Sequence, residues 1–340
     1  MLKRLLLHHA GTHWAKPENA SLLVTGHCNL RCGMCNFWRL GNAGQDLSLA
    51  RWKDVLRQLR AFGIRHVSFQ GGEPTLYADI VDLAAEAKNL GFESRQIITN
   101  GTRPRILERL IPYLTKIAVS LDSLDGPTHD HIRGVKGIGD QVRWLLTNLD
   151  RRIPVTWSYV VQRDNVNELE DVVRFAQDHG IQEMYLVFVA ASTVGHSAYP
   201  DATLSSFEKR HLAGTLLRIY ARTTPLILPT LYDNMLSLRR FQERFVHRCD
   251  VPGNLIAIMP DGGVHVCSGD LPAIGNVRRS RIDAIWSSTR TRTTLAEARK
   301  GRMGTCQSCQ HLRTYVNPLA ALFNLTFSSR NFLRAMGRSG

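Results

Sequence analysis

The chain has 340 residues, 44% of them hydrophobic, and carries 43 Lys and Arg against 29 Asp and Glu, a formal net charge of +14. That length supports one large domain or two, no apolar run approaches the ~20 residues that span a bilayer, and His8 and His9 interrupt the leucine-rich start before a signal-peptide core forms, so a cytoplasmic protein is expected. The positive charge calls for an anionic partner, and its even spread along the sequence disfavours nucleic acid.

After an extension over 1–19, short apolar runs alternate with amphipathic stretches of helical length from about 20 to 190, the pattern of repeated βα units and a parallel sheet. Strands are predicted at 21–24, 66–69, 95–98, 116–121, 155–161 and 184–189. Helices are predicted at 48–62 with Ser48 as N-cap, 77–90 ending at Gly91, 104–113, 140–150, and 165–179 ending at Gly180. The fold class is α/β: a partial (β/α)6 TIM-like barrel over 20–190, in which active groups belong at the carboxyl ends of the strands. A connector over 191–248 follows, with helical patterns near 203–221 and 234–246. A small hairpin-and-helix domain over 249–310 turns at Pro260-Asp261-Gly262-Gly263. In the tail over 311–340, Arg330, Arg334 and Arg338 recur every four residues beside Phe332 and Leu333. This suits either a basic amphipathic helix lying on an anionic membrane surface or a terminal helix packed on the barrel.

Seven cysteines, odd in number and clustered, suit metal ligation in a reducing compartment better than disulfides. Three of them, Cys28, Cys32 and Cys35, lie within eight residues just after the first predicted strand. Soft thiolates suit zinc or an iron-sulfur cluster, and no fourth Cys or His follows at the short spacing a structural zinc site favours. A cubane held by three cysteines keeps one iron open to a ligand. The strand ends carry further polar groups. Gly71-Gly72-Glu73-Pro74 closes the second strand, where glycines let backbone approach a ligand and a carboxylate can receive an ammonium group. Thr99-Asn100-Gly101 closes the third, and Ser120 and Asp122 share one side at the end of the fourth.

Cys28-x3-Cys32-x2-Cys35 resembles the radical S-adenosylmethionine (SAM) superfamily. The resemblance implies a [4Fe-4S] cluster whose open iron is chelated by SAM. An electron from the cluster then cleaves SAM to methionine and a 5'-deoxyadenosyl radical that abstracts hydrogen from a substrate. Gly71, Gly72 and Glu73 resemble the superfamily's motif for the SAM amino group, while Asn100, Ser120 and Asp122 are expected to contact the rest of SAM. Asn165 caps the next helix, reaches SAM, or does both; Met34, at a position commonly aromatic in the superfamily, can pack on adenine. The stretch Asp122 to Gly134 looks like the segment after strand four in peptide- and small-molecule-modifying members. Within it Arg133 is the candidate catalytic residue, its guanidinium suited to a carboxylate, with helix capping and a solvated ion pair as the other reading for His129, Asp130 and Arg133.

The remaining cysteines, Cys249, Cys267, Cys306 and Cys309, resemble the twitch form of the SPASM/twitch auxiliary-cluster domains, with a zinc ribbon as the alternative. The resemblance implies an auxiliary [4Fe-4S] cluster with four protein ligands, able to accept an electron but not to bind substrate. That suits oxidation of a substrate radical, is closest in cysteine spacing to the branch of the aminocyclitol dehydrogenases, and argues against the molybdopterin-synthesis branch. The expected substrate is a small molecule, sugar or lipid intermediate, with an anionic one favoured by the protein's charge. The expected partner is an acidic electron donor of the flavodoxin or ferredoxin type. Two other readings stay open: a ribosomal-peptide-modifying enzyme, and a non-catalytic electron-transfer protein with two clusters.

Overall fold

The structure, a computed structural model, describes residues 16–40, 46–150, 152–181, 183–188, 204–222, 251–267, 271–300 and 303. Six parallel strands follow one another in sequence and in space: β1 (Asn19–Thr25), β2 (His66–Gly71), β3 (Ser94–Thr99), β4 (Lys116–Ser120), β5 (Val155–Val161) and β6 (Glu183–Phe188). The helices are α1 (Phe37–Leu40), α2 (Leu49–Phe62), α3 (Ile80–Asn89), α4 (Pro104–Leu110), α5 (Gly126–Arg133), α6 (Gly139–Asn148), α7 (Leu169–Asp178), α8 (Ser206–Arg222), α9 (Val251–Asn254), α10 (Ile282–Ser287) and α11 (Thr289–Arg299). Alternating helix and strand give the open, TIM-like partial barrel that the sequence pattern predicts.

The strands have two chemically different faces. Leu22, Val24, Val67, Phe69, Ile97, Ile117, Val119, Leu121, Trp157 and Tyr159 are at most 2% exposed and form the core under the helices. Residues of opposite parity, including Ser21, Ser68, Gln70, Gln96, Ser120 and Ser158, line the other face. The period of two in a strand produces this division.

Ser48 caps α2 as expected, accepting a hydrogen bond from the Arg51 N–H, and Gly63 closes the helix in the left-handed conformation. Two predicted helices include 3-10 turns, Ile111–Tyr113 after α4 and Val166–Glu168 before α7, and a third 3-10 turn at Pro74–Leu76 lies ahead of α3. The sequence reading did not assign α5 as a helix. Proline is well placed in a first helical turn, and Asp125 caps it through the Thr128 N–H.

The hairpin forms as predicted, from β7 (Leu255–Ile258) and β8 (Gly263–His265), with β9 (Gly275–Asn276) added antiparallel. It continues the barrel's sheet: β7 pairs in parallel with the free edge of β1, giving the strand order β6-β5-β4-β3-β2-β1-β7-β8-β9. The Leu47 N–H donates to the Pro260 carbonyl, the Ile282 N–H donates to Gln58, and Phe62 meets Trp286 edge to face. The predicted helix at 234–246, the basic tail, and Cys249, Cys306 and Cys309 lie outside the described residues. Among the described residues no helix is long and apolar enough to cross a membrane.

Candidate cluster and cofactor site

The cysteine loop leaves the carboxyl end of β1 and is held on every side by neighbouring strand ends. Thr25 donates its hydroxyl to Asp46, and the Gly72 N–H donates to the Thr25 carbonyl. The Glu73 N–H donates to the carbonyl of His27, next to Cys28. Asn100 Nδ2 donates to Asn29 Oδ1, and Asn29 Nδ2 donates to Thr102 Oγ1. On the far side the Arg31 and Gly33 N–H groups donate to the carbonyls of Arg133 and Ile132 at the end of α5, at 3.0 and 3.1 Å. Trp38 Nε1 closes the loop by donating to the Cys32 carbonyl.

Each thiol is free of disulfide bonding, and each sulfur accepts a hydrogen bond. The Leu30 N–H donates to Cys28 and the Phe37 N–H to Cys35, both at 3.4 Å, while Cys32 accepts from Arg133 Nη1 at 3.9 Å. Burial pushes the Cys28 thiol up to about 11 and raises Cys32 and Cys35 as well, because a lone thiolate is poorly solvated there. Metal binding at this loop must therefore release protons.

The predicted SAM contacts converge here, and several are already engaged by protein. The glycines serve the loop: a Cβ on Gly71 would lie 2.4 Å from the Thr25 carbonyl oxygen, and one on Gly72 would lie 2.2 Å from that of His27. Their close approach is to backbone, whereas the sequence reading placed it at a ligand. Glu73 is 1% exposed; Oε1 accepts from the Thr75 N–H and from the Thr75 and Thr99 hydroxyls, while Oε2 accepts from the Asn100 N–H. Oε2 keeps acceptor capacity, since a carboxylate offers about four lone-pair sites. Burial raises the Glu73 carboxyl above its ordinary range.

Asn165 does not act as a cap. Its Oδ1 accepts from the Gln162 N–H and Nδ2 donates to the carbonyls of Asp122 and Val160, tying the end of β4 to that of β5. Met34 packs beneath the loop with Leu30, Cys32 and Ile132. Asn100, expected to face SAM, braces Asn29 and Thr102. Ser120 is 9% exposed at the end of β4.

Asp122 and Arg133 form an ion pair, Nε to Oδ2 at 2.6 Å, with the carboxylate wholly inaccessible, so the solvated pair is replaced by a buried one. Asp122 Oδ1 also accepts from the Val160 N–H. His129 is fully buried and uses Nδ1 to accept from the Asp122 N–H. Burial, aided by Arg133, holds the imidazole down to about 4, so it is neutral near pH 7. Asp130 serves the next helix, accepting from the Ile138 and Gly139 N–H groups. Arg133 Nη2 and His129 Nε2 are buried and have no hydrogen-bond partner among the described residues. A free thiol triad, a guanidinium on the buried thiol and an unused guanidinium donor beside it fit a thiolate-held cluster with a carboxylate-bearing ligand. The neighbouring residues that sequence reasoning left without a role are Asn29 and Gly134; the glycine after Arg133 at the end of a helical stretch is a C-cap signal that could have exposed the latter.

Residues 22–176 match the family model of the radical SAM superfamily, and residues 249–310 match that of an iron-sulfur cluster-binding domain, SPASM. The chain carries a radical SAM domain and, after it, a SPASM iron-sulfur cluster-binding domain. Among curated relatives, a probable GTP 3',8-cyclase of Saccharolobus solfataricus is 28% identical over 190 residues, which is 54% of this chain and 61% of that protein. A PqqA peptide cyclase of Bradyrhizobium diazoefficiens is 30% identical over 170 residues, 48% of this chain and 44% of that one. The chain thus spans less than two thirds of these relatives. Among solved structures, Streptococcus suis SuiB bound to precursor peptide SuiA aligns with a TM-score of 0.64 at 18% identity, covering 91% of this chain and 74% of that one. The anSMEcpe structure with bound AdoMet aligns at 0.63 and 14% identity, covering 93% and 99%. As a radical SAM enzyme the chain uses a [4Fe-4S] cluster and SAM, together with an auxiliary iron-sulfur cluster in the SPASM region. That sets aside the non-catalytic reading and the zinc ribbon. Of the second cysteine set Cys267 is described, half-buried two residues past β8.

Proposed function

We propose that this enzyme cleaves SAM reductively at Cys28, Cys32 and Cys35, abstracts hydrogen from a small polar substrate in the barrel, and oxidises the resulting substrate radical through the auxiliary cluster. The observation that carries the reading is the docking of the cysteine loop onto the ends of β2, β3 and α5, which sets Glu73 beside Cys28 and Arg133 on Cys32. When bound, the cluster and SAM supply the electron and the adenosyl radical. The chain's own residues hold and orient: Glu73 Oε2 is suited to the amino group, and Arg133 Nη2 to the carboxylate. Ser120 offers a hydroxyl at the end of β4.

The helix-free face of the sheet favours a polar substrate. A closed barrel fills its interior with bulky branched side chains, whereas this one presents Ser21, Ser68, Gln70, Gln96, Ser120 and Ser158, with Gln70 donating to both Ser21 and Ser68. Hydroxyl and amide groups suit a sugar-like molecule or a peptide backbone better than an acyl chain. The 30% identity to a PqqA peptide cyclase favours peptide modification as the second reading. Exposed Arg31 and Arg39 lie over the Trp38 ring, 5.2 and 4.7 Å from its centroid, beside the cysteine loop. That cationic surface suits an acidic flavodoxin or ferredoxin in the cytoplasm.

Anaerobic reconstitution followed by dithionite reduction with SAM tests the first step. 5'-Deoxyadenosine is expected; its absence from protein holding both clusters would sink the reading. Oxidation is tested by supplying the purified protein with candidate sugars and peptides and weighing products for loss of two hydrogens.

A further inference from the structure

The three sulfurs of the cysteine loop are not equivalent. Cys28 and Cys35 accept from neutral backbone N–H groups two residues along, but Cys32, the most buried of the three, accepts from a guanidinium. That guanidinium reaches it from 101 residues away in sequence, and it is placed there by three separate devices. Its Nε is fixed by Asp122 at 2.6 Å. Its backbone carbonyl is fixed by the Arg31 N–H. Gly134, in the left-handed conformation, lets the end of α5 lie flat on the loop, since a Cβ there would meet the Arg31 carbonyl oxygen at 2.4 Å. Asp122 is itself locked by the Val160 and Asn165 bonds at the ends of β4 and β5.

Hydrogen bonds to ligand sulfurs, local charge and solvent exposure set the potential of an iron-sulfur centre. A buried cation beside a ligand sulfur stabilises the reduced, more negative centre, and a buried anion opposes it. Resting on the reading that Cys32 ligates the SAM cluster, we propose that Asp122 and Arg133 form a charge couple that sets the reduction potential of that cluster through the Cys32 sulfur, independently of any contact between Arg133 and SAM. Arg133 is a positioning and tuning residue in this role, and Asp122 moderates it.

The test is electron paramagnetic resonance potentiometry on the reconstituted full chain without SAM, in the wild type, Asp122→Asn, and the double variant Asp122→Asn with Arg133→Gln. The auxiliary cluster in the same samples serves as an internal reference. Removing the anion is expected to shift the SAM cluster to higher potential, and removing the cation as well to return it below the wild type, with the reference unmoved. An unchanged SAM-free potential in both variants, with only SAM affinity lost, would overturn the proposal. Should Asp122→Asn fail to retain iron, Arg133→Lys carries the test: a single ammonium held by Asp122 cannot also reach Cys32, so a lower potential is expected and an unchanged one overturns the idea. A wild type that binds no SAM cluster would instead defeat the proposed function.

Discussion

Gly134 and Arg31 meet backbone to backbone, so closely that the α carbon of one leaves no room for a methyl group beneath the carbonyl of the other. Gly134 also sits at φ +69, which side chains rarely adopt. Gly134→Ala should cost about 1–3 kcal/mol from the backbone conformation alone and should push α5 off the cysteine loop. Iron bound per chain and the thermal midpoint should both fall, whereas Gly137→Ala, at a comparable φ but with open space around it, should keep its iron.

Asn100 joins the third strand to the loop through Asn29 and Thr102. Asn100→Ala should leave the fold intact but loosen Cys28, so that the reconstituted protein loses iron faster to a chelator. Equal chelation rates for the two proteins would show that the bond does not hold the loop.

His129 has a folded-state value near 4 against an ordinary 6.5. Between those values the unfolded chain takes up more protons than the folded one, so stability is full above pH 6.5 and declines as the pH falls towards 4. The loss approaches about 3 kcal/mol at the lower end. Urea midpoints measured at pH 7.5 and 5 should diverge in the wild type and converge in His129→Gln.

Cys306→Ala should remove the auxiliary cluster and leave the first. Iron should fall from about eight to about four per chain, since each cubane holds four. 5'-Deoxyadenosine should still form while oxidised product is lost; retention of all the iron would remove Cys306 from the ligand set.

Reduction by an acidic protein donor should slow steeply as salt rises, because exposed charges are screened over ~8 Å at physiological ionic strength. Arg39→Glu should weaken that salt dependence, and the rate with dithionite should stay as in the wild type.

The order of strands and helices was legible because each apolar run and each amphipathic stretch obeys its own period, as in 155–161, whose predicted limits are those of β5. Ser48 was legible for the same local reason, a hydroxyl just ahead of a helical pattern. The roles of Gly71, Gly72 and Asn165 were not. Each serves a contact across strands, to Thr25, His27 and Asp122 respectively, and such pairings depend on register, which a linear pattern does not carry. The pairing of Arg133 with Asp122 was not legible either: the two were assigned separate roles, because nothing local marks α5 as packed against the cysteine loop.

The pairing of β7 with β1 joins residues 255–258 to residues 19–22. A ribosome must therefore deliver more than two hundred residues after β1 before that strand gains its second neighbour. Until then the strand leading into Cys28 is an unprotected edge, prone to pair with another chain. Iron delivery to the loop is best timed after synthesis, once the late hairpin has closed over its base.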